Sequence, residues 1–389
     1  MPEYDDSHNT NRLNKAHQAC SQALWIRDNV ALAAAAVQWL HCPRLGLDTE
    51  FIREKTFYPQ LALIQISDGH SVWLIDCLEV DNYAPLAAVL DSERCIKVLH
   101  SPREDLEVLH LTTSTLPRPL FDTQAAAALC GGSLQLSYGA LLQQELAVEL
   151  SKEQSRSNWL QRPLTPQQID YACRDVAYLP LLSEQLERQL QTLNRLEWLH
   201  EDMRWLLAES QSTIPDDELY QQLPGAARLP QSALTALQAL CAWREQQARE
   251  RDLPRQFVLR NDVVLRLAQA EIHSVDDLAA YKLHPGQIRR HGEGLVALLR
   301  QAAQQPAPAA VPLLDPAQQA RIKQGQRLVK TKAAELELDP AVLCSRRELE
   351  RWLKDGVAQP PSRLQGWRLR QLEPGLSNCL HGDRATVEQ

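Results

Sequence analysis

Apolar residues recur with two different periods along this chain, and the switch between them divides it. From residue 45 to 99 they come in short runs. Leu45-Gly-Leu47 leads into Asp48. Leu61-Ala-Leu-Ile-Gln-Ile66 and Val72-Trp-Leu-Ile75 are separated by Ser67-Asp-Gly-His70, and Ile96-Lys-Val-Leu99 ends at His100. Short apolar runs bounded by Asp-Gly signals predict strands, with 61–66 and 72–75 adjacent and antiparallel. Helical spacing predicts helices over 85–90, 103–111, 123–129, 134–146 and a long one over 166–196. A few strands followed by many helices predict an α/β layer architecture with a mixed sheet. Before about Ala23 apolar positions are sparse, and a mobile lead-in is expected there.

Beyond about Ser210 the strand pattern fades. Residues 232–303 and 316–380 read as amphipathic helices, joined by the proline-marked linker Pro306-Ala-Pro308, Val311-Pro312 and Asp315-Pro316. The two blocks resemble each other. Trp243-Arg-Glu-Gln-Gln-Ala248, Leu253-Pro254, Val258-Leu259 and Val264-Leu-Arg-Leu-Ala268 are answered by Val329-Lys-Thr-Lys-Ala333, Leu338-Asp-Pro340, Val342-Leu343 and Leu349-Glu-Arg-Trp-Leu353. The offset of about 84–85 residues predicts a duplicated helical module.

Size and composition narrow the class. A chain of 389 residues implies two or three domains, and a hydrophobic fraction of 44% can build real cores. No stretch approaches the ~18 unbroken apolar residues of a membrane span. The nine cysteines are scattered without CxxC spacing, which predicts reduced thiols in a cytoplasmic protein and argues against structural zinc. The net charge of −8 is uneven: residues 321–370 carry twelve basic against six acidic side chains. A basic C-terminal module on an acidic body suits contact with phosphates. It is also what a solvated helical surface looks like.

The chemistry rests on three short stretches. Asp48-Thr49-Glu50 ends an apolar strand, where i and i+2 share a face, so two carboxylates sit side by side in a segment that should be buried. His100-Ser-Pro-Arg-Glu-Asp105 opens a helix, with Glu104 as a charge cap and Asp105 placed to face inward. Tyr171 and Asp175 are four apart on a helix begun near Pro166 and share one face. Four carboxylates and a phenol suit a pair of divalent cations roughly 3.5–4 Å apart around a phosphodiester, and oxygen ligands without His or Cys favour Mg2+ or Mn2+ over zinc. Taken singly, each motif is also ordinary strand or helix surface.

As a set, Leu-Asp48-Thr-Glu50-Phe, His100-x4-Asp105-Leu-Glu and Tyr171-Ala-x-x-Asp175 resemble the three exonuclease motifs of the DEDD superfamily, tyrosine subclass. Arg53, Tyr58-Pro-Gln60-Leu, Leu63-Ile-Gln65, Phe121-Asp122-Thr-Gln124 and Ser155-Arg-x-x-Trp159-x-x-Arg162-Pro-Leu resemble the bacterial ribonuclease D family. The two helical blocks resemble its helicase-and-RNase-D C-terminal (HRDC) module, the second being the more divergent. The resemblance implies an RNase H-like mixed sheet flanked by helices, followed by two small all-α domains. It places a mobile extension at 1–24, the exonuclease domain at 25–208, a first HRDC domain at 228–304 and a second HRDC-like domain at 316–380.

The same resemblance implies metal ligation by Asp48, Glu50, Asp105 and Asp175, with two Mg2+ ions and Mn2+ able to substitute. Tyr171, a poor base at an ordinary phenol pKa of about 10, becomes the residue that orients the attacking water. The implied activity is 3′-to-5′ hydrolysis of RNA to 5′-mononucleotides, with RNA bearing a free 3′ end, tRNA precursors above all, as the partner. No membrane and no obligate protein partner are expected. Phe51, His100, Gln60 and Arg156 are candidate substrate contacts, with core packing the competing reading for Phe51 and a buried structural role for His100. Asp122 and Asp76 are read as caps, and Trp243 as helix core rather than a base platform. Two alternatives remain: a DNA 3′-to-5′ exonuclease of the same superfamily, and a catalytically silent nucleic-acid-binding scaffold.

Overall fold

The structure, a computed structural model, describes residues 6–150, 157–308, 310, 313–355, 360–373 and 375–381. The chain forms two compact units, one of residues 1–52, 61–211 and 316–389, the other of residues 53–60 and 212–315.

The first unit is built on six strands. Its elements in chain order are α1 (Asp6–Cys20), β1 (Leu24–Ile26), α2 (Asn29–Trp39), β2 (Arg44–Ile52), β3 (Gln60–Ser67), β4 (Val72–Asp76), α3 (Ala84–Leu90), β5 (Ile96–Leu99), α4 (Arg103–Thr113), β6 (Leu120–Asp122), α5 (Thr123–Leu129), α6 (Tyr138–Leu146), α7 (Pro166–Ala177), α8 (Leu179–Thr192) and α9 (Leu196–Gln211). The strand order is β1-β4-β3-β2-β5-β6. β3 and β4 are antiparallel, as the Asp-Gly turn predicts, whereas β1–β4, β2–β5 and β5–β6 run parallel. The sheet is therefore mixed, and helices cover it.

Three features depart from the sequence reading. The lead-in is a helix: α1 buries Ala16, Ala19 and Cys20, and Arg12 pairs with Glu184 on α8 at 2.5 Å. Small buried residues on an otherwise polar helix give a weak apolar signal. The three-residue strands β1 and β6 are too short to show a period. The long helix over 166–196 is broken at Tyr178, because Pro180 has no N–H to continue the ladder, and α9 starts afresh at Leu196.

Gly46 explains how closely the helices approach the central strand. A Cβ there would stand 2.7 Å from the Val176 carbonyl oxygen and 2.8 Å from Leu179 Cβ. The face of β2 that carries position 46 therefore lies directly under the α7–α8 junction.

In the second unit α10 (Gln231–Glu250), α11 (Arg255–Val258), α12 (Asn261–Leu267) and α13 (Pro285–Ala302) enclose a core that includes Leu237, Leu240, Val264 and Leu295. Trp243 packs partly buried against that core, edge-on to His291, as the helix-core reading expects. The C-terminal segment of the first unit holds α14 (Pro316–Glu335), α15 (Pro340–Leu343), α16 (Arg346–Asp355), α17 (Trp367–Leu372) and α18 (Gly375–His381).

The helix starts of α10, α11 and α12 recur in α14, α15 and α16 at one constant spacing. Asp252 and Glu337, which take positive φ of 47° and 53° just after the long helices, keep the same spacing. Buried Leu237, Ala248 and Val264 correspond to buried Ile322, Ala333 and Leu349. Shared breaks, shared backbone strain and shared core positions are what a duplication leaves behind.

Candidate active site

Three elements, β2, α4 and α7, bring the acidic residues together. Along β2 Arg44, Gly46, Asp48 and Glu50 alternate onto one face, the face under α7 and α8. Helix α7 begins with a Thr165–Gln168 capping box and Pro166 in its first turn, which fixes the helix start and hence the direction of Tyr171 and Asp175. One carboxylate oxygen each from Asp48, Glu50 and Asp175 lie within 4.8 Å of one another.

Asp105 joins from α4. Thr49 Oγ1 donates to Asp105 Oδ1 at 2.5 Å, and Asp105 is the strongest charged influence on Asp48. The middle residue of the Asp-Thr-Glu triplet is thus a donor that orients the Asp105 carboxylate.

The electrostatics are those of an uncompensated acidic cluster. Burial, then the charges of Asp105, Asp175 and Glu50, push Asp48 well above the usual carboxylate range. Burial followed by Asp175 and Asp105 raises Glu50 to about 9. Burial raises Asp105 to about 6, against the opposing hydrogen bond from Thr49. No cationic side chain figures among the causes of these three shifts. Carboxylates held this close need a cation between them. The donor set is all oxygen and suits a hard divalent ion.

The phenol of Tyr171 hydrogen-bonds Asp175, and burial with the nearby carboxylates raises it above the ordinary phenol range. Its ring leans on Trp159, 6.1 Å between centroids. Trp159 is buried, and the backbone around it is held by Arg162, which bonds the Trp159 carbonyl at 2.8 Å and grips Asp76 with two nitrogens at 2.7 and 2.6 Å. Asp76 is therefore mainly an ion-pair partner rather than a simple cap. Asp122 does cap α5, accepting from Gln124 N at 2.9 Å, and also holds Ser101 N at 2.9 Å.

The candidate substrate contacts fare differently. His100 has both ring nitrogens engaged inside the fold, Nδ1 with Thr123 Oγ1 at 2.9 Å and Nε2 with the Leu136 carbonyl at 3.2 Å. Burial lowers it to about 4, so it is neutral at ordinary pH. Phe51 is half-buried beside Glu50, and Gln60 is exposed at the start of β3. Arg156 lies outside the described residues. Tyr138 was not anticipated: its hydroxyl donates to the Arg174 carbonyl at 3.4 Å, its ring lies 5.5 Å from His100, and burial above all, with Asp175 and Asp48 adding to it, raises its pKa. Nothing in its local sequence marks it.

Residues 23–191 match the family model described as 3′-5′ exonuclease, and residues 233–299 match the HRDC domain. Ribonuclease D of Pseudomonas paraeruginosa is 39% identical over 365 residues, covering 92% of this chain and 97% of that protein. The chain belongs to the ribonuclease D family. Ribonuclease D of Xanthomonas oryzae is 37% identical over 345 residues, 88% of this chain and 94% of that protein. The crystal structure of Escherichia coli RNase D, an exoribonuclease involved in structured RNA processing, superposes with a TM-score of 0.87 at 32% identity, covering 92% of this chain and 98% of that one. Membership makes this protein a 3′-5′ exoribonuclease whose substrate is RNA. The family's acidic exonuclease motifs and the cluster on β2 and α7 together indicate use of a divalent metal. Among the described residues no helix is long and apolar enough to cross a membrane.

Proposed function

We propose that this ribonuclease D family member trims RNA 3′ ends one nucleotide at a time, releasing 5′-mononucleotides, with tRNA precursors in the cytoplasm as its natural substrates. Asp48, Glu50, Asp105 and Asp175 hold two Mg2+ ions, and Tyr171 orients the attacking water. The approach of Asp48, Glu50 and Asp175 to within 4.8 Å carries this reading.

When bound, the ions supply a water of lowered pKa and charge stabilisation at the leaving 3′ oxygen. The rest is the work of the chain. The Tyr171 phenol stays protonated, because its pKa is raised, and so it donates and accepts hydrogen bonds instead of taking a proton. Its bond to Asp175 and its contact with Trp159 keep the hydroxyl at a constant place beside the carboxylates. Thr49 holds the Asp105 carboxylate against rotation. A cytoplasmic setting is supported by the nine cysteines, all free.

The test is an exonuclease ladder on 5′-labelled single-stranded RNA and DNA, with Mg2+ and with EDTA. Stepwise shortening of RNA, blocked by EDTA, is expected. Equal shortening of DNA would favour the DNA exonuclease alternative, and binding without shortening the silent scaffold. Asp48→Asn abolishes turnover and leaves RNA affinity largely intact, whereas Tyr171→Phe loses on the order of 10²-fold in rate with metal binding retained. Wild-type turnover in Asp48→Asn would overturn the ligand assignment.

A further inference from the structure

The parallel strands β2, β5 and β6 end on one edge of the sheet, and the acidic cluster occupies only part of that edge. The register pairs Gly46 with Val98 and Leu99 with Asp122. Neighbouring strands stand about 4.8 Å apart, so Val98 and Phe121 lie roughly 5 and 10 Å from Gly46 across the sheet, and β5 and β6 end beside the Asp48 segment of β2. A cavity of about 200 Å³ opens there, over the starts of α4 and α5 and against α9. Its lining includes Arg103, Gln124, Leu129, Trp205 and Leu206, with Asp122 held by the Ser101 amide and Asp202 paired with Arg368.

Two observations point to a ligand. Arg103 is exposed, makes no ion pair among the described residues, and stacks its guanidinium 5.6 Å from the centroid of the Trp205 ring. It is also the first residue of the helix that delivers Asp105. An unpaired cation on an indole offers a charge for a phosphate and a flat face for a base. The platform is also fixed. Trp205 Nε1 donates to Ser362 Oγ at 3.1 Å, and Asp122, 7% exposed, holds the Ser101 amide, a residue at φ 55°.

We propose that this cavity binds a nucleotide of the RNA strand on the 5′ side of the scissile bond, its base against Trp205 and a phosphate against Arg103. The inference rests on the exoribonuclease reading and adds a binding subsite to it. Stacking on an aromatic face is indifferent to base identity, so the subsite reads chain length rather than sequence.

The experiment is a series of 5′-labelled oligoribonucleotides, lengthened one nucleotide at a time from the dinucleotide, with kcat/KM measured at each length. The wild-type protein should gain roughly tenfold at one particular addition, the one that fills the cavity. Trp205→Ala should erase that gain and Arg103→Gln reduce it. Trp205→Phe, which loses the bond to Ser362 but keeps a stacking face, should preserve it. A wild type without such a step, or a step of unchanged size in Trp205→Ala, overturns the subsite while leaving the exoribonuclease reading intact. A wild type that shortens none of the series overturns both.

Discussion

Thr49 Oγ1 and Asp105 Oδ1 stand 2.5 Å apart, joining the end of the central strand to the first turn of α4. This bond opposes the effect of burial on Asp105, which still reaches about 6. A hydrogen bond to a charged group is worth about 1.5–3 kcal/mol. Thr49→Val removes the donor at nearly constant shape. The expected result is about tenfold weaker Mg2+ binding with an unchanged melting temperature in EDTA, and Thr49→Ser should restore affinity. Magnesium titration by calorimetry on the three proteins decides it; equal affinity in Thr49→Val would leave the bond without a role in the site.

The raised carboxylates give the metal-free protein a definite response to pH. Glu50 at about 9 and Asp105 at about 6 keep protons that the unfolded chain has released at its ordinary carboxylate values of about 4. Where the native state binds more protons, stability falls as pH rises. In EDTA the melting temperature should therefore decline from pH 5 through about 9. A divalent cation favours the ionised carboxylates, so the rise in melting temperature on adding Mg2+ should grow over the same interval. Paired melts with Mg2+ and with EDTA at several pH values check this. A Mg2+ increment that shrinks toward alkaline pH would contradict the clustering of these carboxylates.

Gly46 ties the fold to the chemistry. Two residues before Asp48, it lies against the α7–α8 junction, and an added Cβ would meet the Val176 carbonyl oxygen at 2.7 Å. Overpacking of this kind typically costs about 1–3 kcal/mol. Gly46→Ala is expected to lower stability by that amount in urea. It should also reduce turnover more than stability alone explains, because β2 carries Asp48 and Glu50 whereas α7 carries Asp175. Turnover measured well below the unfolding transition separates the two effects, and a fully active Gly46→Ala protein would refute the second.

Much of this site could be read from the amino-acid order because its parts are local. Asp48 and Glu50 are i and i+2 on a strand, and Tyr171 and Asp175 are i and i+4 on a helix, so each pair carries its own geometry. What stayed hidden depends on contacts between distant segments. Nothing in the triplet marks Thr49 as a donor; only the fold brings Asp105 beside it. Tyr138 lies near Asp48 and Asp175 through packing that no periodicity encodes. For His100 the amino-acid order left nucleotide contact and a buried structural role both open, and the fold engages both its nitrogens with Thr123 and Leu136. The basic C-terminal segment is the clearest instance. Counting charges treats them as solvated, yet Arg368 is buried with a two-pronged pairing to Asp202, its Nη2 at 2.8 Å from Oδ2. Arg363 pairs with Glu348 at 2.7 Å, and Arg370 with Glu201 at 2.5 Å. These arginines fasten the C-terminal helices to α9 and to each other.

Helix α14 retains a basic face after that pairing is taken into account. Lys323, Arg327 and Lys330 are exposed, spaced i, i+4 and i+7, and make no ion pair among the described residues, while Ile322, Gly325, Val329 and Ala333 are buried. If the C-terminal module grips RNA, this stripe is where phosphates meet it. Each phosphate neutralised on a single strand contributes about 0.7 to the slope of log affinity against log salt. Replacing all three by glutamine should therefore flatten that slope by about two, weakening binding of unrelated single-stranded RNAs alike, with the fold unaffected because all three side chains face solvent. Filter binding of a catalytically silent Asp48→Asn background over a range of salt concentrations gives the slope directly. A slope equal to that of the parent would mean that α14 makes no phosphate contact, and that the charge of this segment serves solvation and internal pairing alone.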